Sequence, residues 1–271
     1  MGSLLLCRNT EGKHPFYVKD LGMNLYSAEE LCYFIYNHAF FLDQSFFGEE
    51  LFSFLAMECR LPQLEKKLRS WIAEGADVTA LLLVILQDIH YYSEFELLSF
   101  QENMNKIRKA SQAERMKWKG DYMLRQQKFE SAIRMYDAAM TEEEAKPDAR
   151  LRGNIFYNRG VAYAQLFAFK EACDSLSKAF GLLKSDDILK RIFMIYQLDP
   201  TVPIDENLMD QLSAEQQFKW KEEMEVMKRH AAYSGKALVV RDILEKNSVR
   251  RGAELEKLLV TWKQEYRGIV R

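Results

Sequence analysis

Two stretches of this chain repeat each other at an offset of 40 residues, and no other feature narrows its architecture as much. Gly120, Ala132, Tyr136 and Ala139 stand at relative positions 0, 12, 16 and 19, and Gly160, Ala172, Leu176 and Ala179 reproduce that spacing 40 residues later. Tyr163 adds an aromatic three residues after Gly160. Small residues at these intervals let two helix backbones cross closely, while Tyr136, Tyr163 and Leu176 fill the wedge beside each crossing. A lone pair of such hairpins is marginal, because each unit needs neighbours to bury its faces, so flanking helices must complete the stack.

The rest of the sequence agrees with an all-α fold. Only 5 Pro and 12 Gly interrupt 271 residues, and 48% of the chain is hydrophobic, enough for a substantial core. Turn residues around Asn9–Gly12, His14-Pro15 and Leu21-Gly22 enclose a short extended piece at Phe16–Val18. Ser27 with Glu30 reads as a capping box opening a helix to about Phe41. A second start lies at Ser45–Glu49, Pro62 opens a third helix that Gly75 ends, and Asp77 caps a fourth whose Leu81–Leu86 run belongs in a core. Ser93 with Glu96 caps the next helix. The aromatics Phe34, Phe40, Phe41, Phe46, Phe47, Phe52 and Phe54 are expected to fill the core of this first part. Beyond the repeats, Ser213 with Gln216 caps a helix dense in Lys, Glu and Met that breaks near Ser234-Gly235. Two amphipathic stripes follow, Leu238, Val239, Ile243 and Leu244, then Leu255, Leu258, Leu259, Trp262 and Tyr266.

The repeated positions resemble those of the tetratricopeptide family, and strong resemblance covers about 75 residues. It implies a right-handed array of helical hairpins, with helices at 112–125 and 128–140, then 149–166 and 169–183. Two departures stand out: Met123 occupies the usual aromatic position of the first repeat, and the spacing of 40 exceeds the family's usual value of about 34. The excess falls at Thr141–Pro147. A partial third repeat begins at Asp186, with Ile188, Ile192, Ile195 and Tyr196 apolar, until Asp199-Pro200 and Pro203 interrupt its second helix. Three regions result: an acidic, aromatic-rich helical bundle at 1–110, the repeats at 111–198, and amphipathic C-terminal helices at 199–271.

The resemblance implies binding of a partner's peptide or helix in a concave groove lined by the first helix of each repeat. The groove positions are Lys117 and Asp121 from the first repeat and Asn154, Tyr157, Asn158, Val161 and Gln165 from the second. Lys117 and Asn158 match two positions of the clamp with which some family members hold a peptide's terminal carboxylate. Asp121 stands where that clamp has asparagine, and its charge repels an acidic tail, so a chaperone-type clamp is not expected.

Nothing in the sequence marks an active site. His14, His38, His90 and His230 form no metal-binding pair, and phosphate-loop, dinucleotide and nucleophile-elbow motifs are absent from the sequence. Glu142–Glu144 reads as a solvated charge run. No catalytic residue, metal or cofactor is therefore expected. Cys7, Cys32, Cys59 and Cys173 are too scattered for a disulfide framework or a metal site, and Cys32 and Cys59 are expected as buried thiols. The start Leu4–Cys7 is too short for an export signal, Gly2 begins a myristoylation match that fails at Leu6, and Val78–Leu86 falls short of the about 20 residues a bilayer needs. These features predict a soluble cytoplasmic protein without membrane insertion. Residues 1–105 carry 7 Lys/Arg against 15 Asp/Glu, a net of −8 that leaves +6 for the remainder, and the basic part is too interspersed with Glu to suit nucleic acid. Scaffold or adaptor is the leading expectation. Beside it stand a structural subunit that self-associates through 236–267 and an enzyme whose site the sequence does not display.

Overall fold

The computed structural model describes residues 13–19, 21–141, 148–204 and 206–270, and the fold is all-α apart from one two-stranded sheet. It divides into two compact units, Met1–Ser111 and Gln112–Arg271. The expected features at Gly2, Leu4–Cys7, Asn9–Gly12 and Glu142–Pro147 lie outside the described residues, as does the Tyr266 side chain.

In the first unit the extended piece at Phe16–Val18 is a strand, β1, paired antiparallel with β2, Met23–Leu25, a strand the sequence reading did not identify. The link is tight because Gly22 adopts φ 63° and its amide donates to the Val18 carbonyl at 2.9 Å. Phe16 and Val18 point inward while Tyr17 is exposed, as a half-buried strand requires. Helix α1, Ala28–His38, is capped by Ser27, whose hydroxyl accepts from the Glu30 amide. The Glu30 carboxylate returns to the Tyr26 amide at 2.6 Å rather than to Ser27, and α1 tightens into a 3₁₀ turn over Ala39–Phe41 instead of continuing as α-helix. Helix α2, Glu49–Ser53, runs on into a π-helical turn at Phe54–Glu58. Then follow α3, Pro62–Ala73, α4, Val78–Ile89, and α5, Glu94–Lys109. The apolar positions run almost all round α4, and it accordingly sits at the centre, touching α1, α3 and α5. Phe34, Phe41, Phe47, Phe52 and Phe54 are buried in this unit, with Phe40 and Phe46 half-buried, and Cys32 and Cys59 are buried as expected.

The second unit begins with α6, Gln112–Arg125, and α7, Phe129–Thr141, followed by α8, Ala149–Gln165, and α9, Phe169–Leu183. These spans agree to within a residue with those expected from the sequence. The two hairpins close in the same way. Gln127 and Phe167 both adopt φ 58°, the Lys128 amide donates to the Met123 carbonyl at 2.9 Å, and the Ala168 amide donates to the Tyr163 carbonyl at 3.0 Å. At the crossings a methyl group has no room. A Cβ on Gly120 would lie 2.6 Å from the Tyr136 ring, and one on Gly160 would lie 2.7 Å from Leu176 Cγ and 3.2 Å from the Ala172 carbonyl oxygen. Ala132, Tyr136, Ala139, Ala172, Leu176 and Ala179 are all buried, and Tyr163 packs half-buried beside Leu176 in the same core.

Helix α10, Asp186–Leu198, packs on α9, and the prolines that follow do not end the core. Val202, Leu208 and Leu212 join it from the connection containing α11, Glu206–Met209, and Trp220 joins it from α12, Ala214–Ala232. The packed core therefore crosses residue 198, where the interruption of the third repeat places a boundary in the sequence. The Phe193 and Trp220 rings lie 5.8 Å apart, and Lys190 pairs with Glu223 across the same contact. Ser213 and Gln216 form the expected capping box. Ser234 caps α13, Gly235–Leu244, and α14, Ser248–Val270, follows it. Of the first amphipathic stripe only Ile243 is buried, while Leu238, Val239 and Leu244 are exposed; Leu255, Leu258 and Trp262 are half-buried and Leu259 exposed.

Two glycines separate close approach from helix propensity. Gly160→Ala should destabilise the protein by about 1–3 kcal/mol in chemical denaturation, because the added methyl has to displace Leu176. Gly181→Ala, where nothing lies within 4 Å of the new Cβ, should instead stabilise by about 0.5–1 kcal/mol.

Candidate functional site

The candidate groove residues lie on α6 and α8, which touch each other as well as their own hairpin partners. Lys117 precedes Asp121 by one helical turn, so its ammonium reaches the carboxylate at 2.5 Å. The other carboxylate oxygen of Asp121 accepts from Tyr136 Oη on α7 and from Asn158 Nδ2 on α8, each at 2.8 Å. One carboxylate thus joins three helices and both hairpins. The cluster is largely withdrawn from water, with side-chain exposure of 16% for Lys117 and 28% for Asp121. Burial, and then the neighbouring Asp121 charge, push the Tyr136 hydroxyl far above the ordinary tyrosine range, so it remains a donor.

This geometry revises the expected role of these residues. The Asp121 charge is already matched by Lys117, and Asn158 is committed to the same carboxylate as a donor. Lys117, Asp121 and Asn158 thus form a polar bridge between the hairpins, with each residue still partly exposed.

Tyr157 is likewise engaged. Its hydroxyl donates to Asp187 Oδ2 at 2.8 Å, Arg191 Nε donates to the same oxygen at 3.0 Å, and the Arg191 guanidinium lies 5.2 Å from the Tyr157 ring centre. Burial raises the Asp187 carboxyl, yet the hydrogen bonds from Tyr157 and Arg191 outweigh it and hold the group below the ordinary aspartate range. Asn154, Val161 and Gln165 remain. They share one face of α8 with Asn158 at spacings of four, three and four residues, and Asn154 and Gln165 make no side-chain hydrogen bond among the described residues.

A second polar cluster lies around Arg159. Its guanidinium donates to Asp137 on α7 at 2.6 Å and to Ser175 on α9 at 3.2 Å, with the Phe156 ring 5.1 Å away. The repeat spacing gives no hint of Arg159, Asp137 or Ser175, because their pairing crosses between helices; only Asp187 and Arg191 carry a local signal, a helical i,i+4 ion pair. Among the described residues no group of His, Cys, Asp or Glu could hold a metal ion, no buried side-chain polar atom lacks a partner, and no helix is long and apolar enough to cross a membrane. Compared with known proteins, the chain matches no family model, no curated protein and no solved structure.

Asp121→Ala should cost about 2–4 kcal/mol in denaturant unfolding, because it leaves Lys117, Tyr136 and Asn158 without their common acceptor. Asp174→Ala, which removes only an exposed pair with Lys178, should cost less than about 0.5 kcal/mol.

Proposed function

We propose that this protein is a non-catalytic scaffold or adaptor that holds a peptide or helix of a partner protein along the α6 and α8 face of its hairpins. The observation that carries this reading is the division of labour on that face. Lys117 and Asp121 are matched to each other, while Asn154 and Gln165 keep unspent hydrogen-bonding capacity beside the aliphatic Val161. Such a surface suits a ligand recognised by backbone amides and apolar side chains, since an ionic ligand would have to break the Lys117–Asp121 pair. The sequence resemblance to tetratricopeptide repeats supports the same reading by analogy. No catalytic step is assigned to the groove, and cytoplasmic residence belongs to the same proposal.

The test is selection of binders from a displayed peptide library against the full chain, followed by affinity measurement on groove variants. Asn154→Arg and Val161→Arg should each weaken the selected peptides at least about tenfold, with Asp174→Ala leaving them unchanged. Peptides indifferent to both arginine variants would overturn the proposal.

A further inference from the structure

Helix α12 presents two opposite faces. Trp220 and Met224 are buried on one. On the other, Phe218, Glu222, Glu225, Val226, Arg229 and the capping residue Tyr233 fall within about 100° of one another around the helix axis. Phe218 is 65% exposed, Tyr233 71% and Val226 41%. An open hollow along this face is lined by residues of α12 alone, so no other described element covers it. Glu225 pairs with Lys228 on its own helix, but Glu222 and Arg229 have no ion pair or side-chain hydrogen bond among the described residues. The Tyr233 ring has the Arg241 guanidinium 5.9 Å away and is otherwise open.

The order of residues on this face is self-complementary. Around a point between Glu225 and Val226, Glu222 and Arg229 lie equally far on either side, and so do Phe218 and Tyr233. When a second α12 lies antiparallel across this point, each Glu222 meets Arg229 of the other copy and each Phe218 meets Tyr233 of the other copy. Two ion pairs then sit one turn either side of the twofold axis, flanked by two aromatic pairs, while Glu225, its charge matched by Lys228, and Val226 lie beside their own copies on the axis. Other arrangements are disfavoured. A parallel pairing in register sets Glu222 against Glu222, and an antiparallel pairing shifted one turn toward the N-terminus sets Glu222 against Glu225, so both juxtapose like charges. Shifted one turn the other way, Glu222 meets Tyr233 and Arg229 meets Val226, and both ion pairs are lost.

We propose that α12 is the interface of a twofold symmetric homodimer, and that its occupant is the α12 helix of a second copy of this chain. The interface is distinct from the α6 and α8 face and does not depend on the reading of that face. It also differs from the self-association through 236–267 suggested by amphipathicity. One helix pair of this length lies at the low end of stable interface sizes, so the dimer should be reversible in the micromolar range, on the order of 1–100 µM.

Sedimentation velocity on the full chain over about 1–100 µM tests this directly. The wild type should shift from monomer to dimer with concentration. Glu222→Arg and Arg229→Glu should each weaken the dimer at least about tenfold, since each places like charges at both central positions. The positions are exposed, so circular dichroism should report unchanged folding. An equimolar mixture of the two variants should restore a dimer. There the arginine introduced in one chain faces the glutamate introduced in the other, and the native Arg229 of the first faces the native Glu222 of the second. A chain that stays monomeric throughout, a dimer indifferent to both reversals, or a mixture that fails to reassociate would each overturn the proposal.

Discussion

The organisation of the second unit rests on helix crossings so close that a side-chain carbon at Gly120, Gly153 or Gly160 would collide with the facing helix, at Gly153 with Leu183 at 2.5 Å. At Gly120 the space belongs to the Tyr136 ring, and at Gly160 to Leu176. Close crossing lets each hairpin bury its alanines completely, and it sets the angle from which the next hairpin is approached. The matching turns at Gln127 and Phe167, with the same amide-to-carbonyl bonds, follow from that shared geometry. A third apolar helix, α10, then extends the core without needing a hairpin partner of its own, because α12 takes that place through Trp220.

Charge is handled differently in different parts of the unit. Between the hairpins Asp121 collects donors from three helices and Asp137 takes Arg159, while within α10 Asp187 takes Arg191. The partly buried Asp121 cluster costs desolvation and returns it only when every partner is in place, so it acts more on specificity of arrangement than on net stability. On α12 the reverse holds, with Glu222 and Arg229 left in solvent beside exposed aromatics. The contrast separates charge matched between helices from charge left unpaired on α12.

The helices and their caps were largely legible in the sequence because both are local. Asp77, Ser93 and Ser213 each cap the helix they precede, and the run in α4 is buried as its all-round apolarity requires. What could not be read was anything that depends on two distant segments meeting. β2 has no pattern of its own and exists by pairing with β1. The continuation of the core past Pro200 and Pro203 depends on Trp220 reaching Phe193 from a separate helix. The candidate groove was legible only as a set of positions. Register places Lys117, Asp121 and Asn158 on neighbouring helices, but their hydrogen bonds to one another depend on distances that spacing does not contain.

The central claim is that the two hairpins are one interdependent structure, tied by Asp121 and by the Arg159–Asp137 pair, rather than two units set side by side. Native-state amide hydrogen exchange measures this most directly. The account predicts that the slow amides of α6 to α9 open together with a single free energy. If the amides of α6 and α7 exchanged through an opening more than about 2 kcal/mol easier than that of α8 and α9, the hairpins would be energetically separate and the claim would fail.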